Sequence, residues 1–223
     1  MGQLAFDMDY TDPSTGTAVP WASPTESLIR DIESAAWKVV DVETTGLNPA
    51  SPECNFSGKE LRRGVNPTLR LRINSLTYPS AEAGGIRTIS FEFDKISKEE
   101  AVRVSNASLT GVVFAHNAGF DSYWLAHNGN WEVTPLMLLD SMLIARVLHP
   151  EQLLRLADLY NGEDTPDDIR HLAGQVFIEE RAGWSLADLS LTLLGEIMPK
   201  DLQGPKNWCQ PFLTLQNYDY ATL

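Results

Sequence analysis

The chain contains little cysteine, no long apolar run and fewer basic than acidic residues. Its 223 residues include two cysteines, Cys54 and Cys209, which have no metal-binding spacing and suggest no disulfide framework. No run approaches the roughly 20 apolar residues of a membrane span. The N-terminus also lacks the basic start and apolar core of a signal peptide. We therefore expect a protein of the reducing, intracellular cytoplasm, with no membrane as a partner.

The shortage of basic residues excludes a protein that binds nucleic acid over its whole surface. The chain has 17 Lys and Arg against 30 Asp and Glu, a net charge of −13, whereas such proteins usually carry a broad basic footprint. Five basic residues are nevertheless concentrated in one segment: Lys59, Arg62, Arg63, Arg70 and Arg72. A local basic patch beside an acidic metal site can hold a phosphate backbone, so this segment is a candidate contact for nucleic acid.

Two acids, Asp41 and Glu43, interrupt an apolar run that ends in a Gly-Leu-Asn-Pro turn. Side chains alternate between the faces of a strand, so both carboxylates should point the same way from the strand end. Neighbouring carboxylates repel each other unless a cation lies between them, and Mg²⁺ and Mn²⁺ take oxygen ligands. The pair predicts half of a metal site, and a strand end that simply exposes two acids is the alternative.

A second acid motif follows a short apolar strand at residues 111–115. Phe120, Trp124 and Leu125 are spaced as on a helix, which places Asp121 in its first turn. The helix dipole favours a carboxylate there, so an ordinary helix-start acid is the alternative to a metal ligand. His116 and His127 are possible ligands, but their spacing fits no zinc motif and they are interpreted as ordinary polar residues.

The order of the predicted elements indicates an α/β protein with a mixed sheet flanked by helices. Residues 1–25 are predicted to be an extended lead-in or linker, and 26–223 the domain. The expected strands are 37–42, 69–78, 86–94, 111–115 and 133–139. The expected helices are 26–34, 119–127, 212–223 and those capped by Ser97, Asp140 and Ser185. The helix after Asp140 should bury a stripe consisting of Leu143, Ile144, Val147 and Leu148.

Three segments together resemble the motifs of the DEDD 3′→5′ exonuclease superfamily. Residues 41–47 are similar to its first motif, and residues 117–121, where an Asn precedes the Asp by four positions, to its second. Residues 218–223 look like the start of the third motif, Tyr-x-x-x-Asp, of the tyrosine subclass. Residues 139–150 resemble the segment that follows the second motif in proofreading domains of family-A DNA polymerases. The resemblance spans residues 35–223, and its specificity lies in the order and spacing of three motifs.

The resemblance implies a ribonuclease-H-like fold and a site that uses two Mg²⁺ or Mn²⁺ ions about 4 Å apart. It assigns residues to three roles. The metal ligands would be Asp41, Glu43 and Asp121, the residue orienting the attacking water would be Tyr220, and the contacts to the terminal nucleotide would be Thr44, Leu47 and Asn117. The implied partners are the 3′ end of single-stranded DNA and a polymerase domain in the same parent chain.

The chain departs from the family pattern at its end. If Tyr220 is the motif tyrosine, the fourth acid belongs at position 224, and the sequence stops at Leu223. Asp140 is the alternative fourth ligand, but a capping role explains it adequately and is the preferred interpretation. We therefore expect a fragment cut just before its last motif acid, with impaired activity; a chain that ends there naturally is the alternative.

The sequence thus predicts a metal-dependent 3′→5′ exonuclease that removes nucleotides from DNA 3′ ends, as in polymerase proofreading. A free-standing 3′→5′ exoribonuclease is one alternative. A catalytically degenerate domain that only supports a polymerase is another, against which the intact Asp41, Glu43 and Asp121 argue.

Overall fold

The computed structural model describes residues 21–45, 70–179 and 182–198. These residues divide into two compact units, one up to Leu139 and one from Asp140 onward. Leu47, Tyr220 and the helix predicted at 212–223 lie outside the described residues. None of the helices in the described part of the chain has the length and apolar character that a membrane crossing requires.

The first unit is built on a mixed five-stranded sheet, as the sequence predicts. The strands are β1 (Trp37–Thr44), β2 (Leu71–Ser80), β3 (Gly85–Glu92), β4 (Val112–Ala115) and β5 (Met137–Asp140). Their spatial order is β3-β2-β1-β4-β5. β2 lies antiparallel to both β1 and β3, whereas β4 runs parallel to β1. The last strand is shorter and later than predicted, because the chain first turns where Val133 N donates to Asn130 O at 2.9 Å.

Three helices of this unit begin at the predicted caps or close to the predicted starts. They are α1 (Glu26–Ser34), α2 (Lys98–Ser108) and α3 (Ala118–Asn128). Ser97 and Glu100 form the capping box that starts α2. The boundary predicted at residue 25 stays a prediction, although Trp21 is buried and Ala22 N donates to Ser90 O at 2.8 Å.

The hydrophobic core lies on one face of the sheet. The even-numbered residues of β1 contribute Val40 and Val42, and all three helices contribute apolar side chains to the same cluster, among them Ile32, Val104 and Trp124. The odd-numbered residues of β1, which include both acids, therefore face away from this core. The core thus fixes which way the acids point.

The second unit contains the remaining described helices: α4 (Ser141–Leu148), α5 (Gln152–Asn161), α6 (Asp167–Ile178), α7 (Leu186–Leu189) and a π-helical turn (Ser190–Leu194). Its small core consists of Leu156, Ala173, Val176 and Leu191. Ser185 and Asp188 form the predicted capping box of α7. Leu189 is buried on this helix, whereas Leu186 and Leu193 are exposed, and the helix continues as a π turn from Ser190.

Asp140 is the cap of α4, as predicted. Its Oδ1 accepts hydrogen bonds from Met142 N at 2.9 Å and Leu143 N at 3.2 Å. The buried stripe predicted for α4 is wrong, because only Ala145 is buried on this helix. All four residues of that stripe are exposed, from 39% for Ile144 to 78% for Val147. The apolar spacing of a helix shows which of its faces could be buried. Burial also requires a packing partner, and the local sequence does not specify one.

Candidate active site

Strand β1 places the first two acids on one face of the sheet. Val40 and Val42 alternate with these acids and are buried on the core side, whereas Asp41 is exposed and Glu43 half-buried. The burial pattern therefore shows the alternation on which the predicted metal site depends. Both carboxylates lie in the last four residues of the strand.

The parallel pairing of β1 and β4 brings Asp121 to the same strand end. Val39 lies opposite Phe114, and β4 ends at Ala115 while β1 continues. The chain then enters α3, whose first turn carries Asp121. The Oδ1 atom of Asp121 accepts a hydrogen bond from Val42 N at 3.0 Å, and the side chain is only 4% exposed. The third acid thus contacts the peptide unit between the first two.

The surroundings of Asp41 disfavour its ionised form. Its side chain is reached by solvent, yet the protein around it removes enough water to raise the pKa of its carboxyl above the ordinary value. A carboxylate that is accessible but poorly hydrated gains more from a cation than a fully hydrated one does. Shifted pKa values of this kind are common among the acids of functional sites.

The chemistry of these donors fits a hard divalent cation, because Asp41, Glu43 and Asp121 offer only oxygen ligands. Within the ranges that the structure describes, however, no three His, Cys, Asp or Glu side chains converge closely enough to hold a metal ion as they stand. Carboxylates without a cation between them repel each other, and a carboxylate side chain has more than one staggered rotamer. The fold therefore supplies the donors and the strand end, and cation binding requires the side chains to turn together.

Asn117 adopts a backbone conformation that non-glycine residues rarely use. Its φ is 63° and its ψ is 50°, and among the described residues other than glycine it is the one with a positive φ. Its side chain makes no capping hydrogen bond to α3. A left-handed asparagine costs less than most residues would, but such conformations concentrate at functional sites. This geometry is compatible with the predicted contact of Asn117 to a nucleotide. That contact, those of Thr44 and Leu47, and the role of Tyr220 in orienting the attacking water all stay predictions.

The predicted basic patch is wrong for the two arginines that the structure describes. Arg72 is fully buried, and its Nε lies 2.7 Å from Asp94 Oδ2. Arg70 is also paired with Asp94, at 3.2 Å from its Nη2. Neither guanidinium is presented as an open phosphate-binding surface. The sequence predicts the strand at 69–78, but it does not predict that Asp94 pairs with the arginines of this strand.

Comparison with known proteins identifies the fold. No family model and no curated protein matches the chain. Among solved structures, the chain is similar to the EXO domain of Nibbler from Aedes aegypti, with 12% identity, a TM-score of 0.51, and coverage of 88% of this chain and 75% of that one. The chain has a ribonuclease-H-like α/β fold.

A second solved structure is more distant. The Mg²⁺- and Mn²⁺-bound form of Pop2p from S. pombe matches with 16% identity and a TM-score of 0.32, over 78% of this chain and 90% of that one. At such a TM-score the match supports no argument about this chain. The likeness to the EXO domain concerns the ribonuclease-H-like fold alone, so the activity must be argued from the residues.

Proposed function

We propose that this chain is a metal-dependent 3′→5′ exonuclease that removes nucleotides from the end of a single strand. The observation that carries the proposal is the hydrogen bond from Val42 N to Asp121 Oδ1, at 3.0 Å. It places an acid from α3 against the peptide between two acids of β1. In a ribonuclease-H-like fold, three acids at one strand end are a natural binding site for divalent cations.

The residues of the chain have distinct roles in this proposal. Asp41, Glu43 and Asp121 would hold the Mg²⁺ or Mn²⁺ ions. When bound, the ions would supply an activated water and neutralise charge on the leaving 3′-oxygen. Thr44 and Asn117 make polar contacts to the terminal nucleotide, Leu47 packs against its base, and Tyr220 orients the water through its hydroxyl. Such contacts read no base edge, so excision does not depend on sequence.

More specifically, we propose that the chain is the proofreading domain of a family-A DNA polymerase. Its substrate would be single-stranded DNA, and the polymerase domain would belong to the same parent chain. The motifs at 41–47, 117–121 and 139–150 support this form. A free-standing exoribonuclease would use the same acids, and the two forms differ in the sugar that they accept. Strands of one sequence in DNA and in RNA therefore separate them.

The test follows the release of mononucleotides from a 3′-labelled single strand with Mg²⁺, Mn²⁺ or chelator. We expect release that requires the cation, stops when the 3′ end is blocked, and is abolished by Asp41→Ala. Glu99→Gln, which changes an exposed acid in the first turn of α2, is the matched control and should leave the rate unchanged. Equal rates in wild type and Asp41→Ala would refute the proposal. Absence of release from every strand would favour a non-catalytic domain.

A further inference from the structure

The sheet is irregular at the step where β1 passes its second acid. Glu43 lies opposite Ile73, but the next residue, Thr44, lies opposite Leu71. Arg72 is therefore an extra residue on β2, which is the arrangement of a β-bulge. A bulge bends its strand locally and changes the direction of nearby side chains, and bulges are common beside active sites. The feature stands directly across from Glu43.

The bulged residue is a buried cation held by two acids of β3 and its end. Arg72 is 0% exposed, with its Nε 2.7 Å from Asp94 Oδ2 and its Nη2 3.9 Å from Glu92 Oε1. The Nε contact is an ion pair without an aligned hydrogen bond. Burying the charges of Arg72 and its partners removes their hydration, so a buried pair is weak evidence for stabilisation and better evidence for a defined conformation.

Asp94 is also connected to the end of β1, through Arg70. Thr45 N donates to Arg70 O at 3.0 Å, and Arg70 N donates to Thr45 Oγ1 at 2.8 Å. The side chain of Arg70 is paired with Asp94, the acid that also holds Arg72. Asp94 thus connects the bulge to the residue two positions after Glu43.

Glu92 shares a row of the sheet with Glu43. Ile73 pairs with Glu43 on one side and with Glu92 on the other, so all three residues present their side chains on one face. Glu92 is 1% exposed, and its Oε2 has no hydrogen-bond partner. Glu43 therefore lies on the same face of the sheet as Glu92, which is one of the two acids paired with Arg72.

We propose that Arg72 is a positioning residue for Glu43: the buried bulge, held by Glu92 and Asp94, fixes the direction of the second acid of β1 and so sets the affinity of the site for a divalent cation. This inference rests on the proposed function, because it takes Asp41 and Glu43 as cation ligands. Arg72 does not touch the substrate or the cation; it acts through the backbone of β1.

The test measures Mn²⁺ binding to the full 223-residue chain by the paramagnetic resonance signal of free Mn²⁺, per molecule shown to be folded by circular dichroism. Arg72→Lys keeps the charge but loses the planar fork of the guanidinium. Arg87→Lys is the matched control, since Arg87 is paired with Asp31 and Glu82 at 3.7 Å near the hairpin turn, at the opposite end of β2 and β3. We expect Arg72→Lys to weaken Mn²⁺ binding about tenfold, as loss of an outer-shell support does, and Arg87→Lys to change it less than about twofold.

Asp94→Asn provides a second variant should Arg72→Lys not fold, because it loosens the bulge without altering the bulged residue. It should weaken Mn²⁺ binding in the same direction. Unchanged Mn²⁺ affinity in Arg72→Lys, or in Asp94→Asn where only that variant folds, would overturn the inference. An equal loss in Arg87→Lys would do the same. Asp41→Ala distinguishes a failure of the proposed cation site from a failure of the role of Arg72. If Asp41→Ala binds Mn²⁺ as wild type does, the proposed site itself is refuted, whatever the arginine variants do.

Discussion

Replacing Asp121 should have two separable effects, one on stability and one on activity. The side chain is 4% exposed and accepts the Val42 N–H at 3.0 Å. Asp121→Ala leaves that buried donor without an acceptor, which costs about 1–3 kcal/mol. It also removes packing at the start of α3. Asp121→Asn keeps an acceptor oxygen of nearly the same shape, so it should cost only about 1 kcal/mol.

The assay for stability is thermal unfolding of both variants beside wild type. A loss of 1 kcal/mol lowers the Tm by about 2–4 °C in a chain of this size. We therefore expect Asp121→Ala to fall several degrees below Asp121→Asn, and Glu99→Gln to melt with wild type.

Activity should not follow stability. Asp121→Asn removes the charge of a proposed ligand, so nucleotide release should fall at least about 100-fold although the protein stays folded. Melting of Asp121→Ala together with wild type would refute the bond to Val42. Full activity in Asp121→Asn would refute the role of Asp121 in cation binding.

Three further predictions concern other features of the first unit. In thermal unfolding, Asn117→Gly should be more stable than Asn117→Ala by about 1 kcal/mol, because glycine adopts a φ near 63° without strain. Both variants should nevertheless bind a labelled single strand more weakly than wild type does. Burial raises the pKa of Glu92 from 4.5 to about 7, so wild type should lose stability, by at most about 3 kcal/mol, as the pH rises from 4.5 through 7. Urea unfolding of Glu92→Gln should lack that slope, and an unchanged slope would contradict the assignment. For Asp31, desolvation acts against the charged form, but hydrogen bonds from Ser80, the Glu82 amide, Tyr78 and the Ala81 amide prevail and lower its pKa. The stability it contributes should be present above the pKa of the unfolded chain and disappear as the pH falls through the lowered value, and acid titration of Asp31→Asn should lack that loss.

The parts of the structure that the sequence predicts are those governed by local chemistry. The caps at Ser97, Asp140 and Ser185 depend on a side chain and amides within three residues, so the pattern contains the whole interaction. The shared face of Asp41 and Glu43 follows in the same way from the two-residue repeat of a strand.

The features that sequence reasoning missed depend on partners far along the chain. Arg72 reads as a surface cation until Asp94 is placed beside it by the pairing of β2 with β3. Its bulge is a property of two strands and cannot be read from either. The apolar stripe of α4 was wrong for the related reason that its four residues have the right spacing but remain exposed.

The bond between Val42 and Asp121 also has a consequence for when the site comes into existence. It joins residues 79 positions apart, and closing so long a stretch of chain is entropically costly and slow compared with local pairing. The β1–β2–β3 meander precedes α3 in the chain, so during synthesis it emerges before Asp121 does. A nascent or locally unfolded chain therefore holds Asp41 and Glu43 without their third partner. On the proposed function, such a chain is inert toward nucleic acid until the first unit has closed.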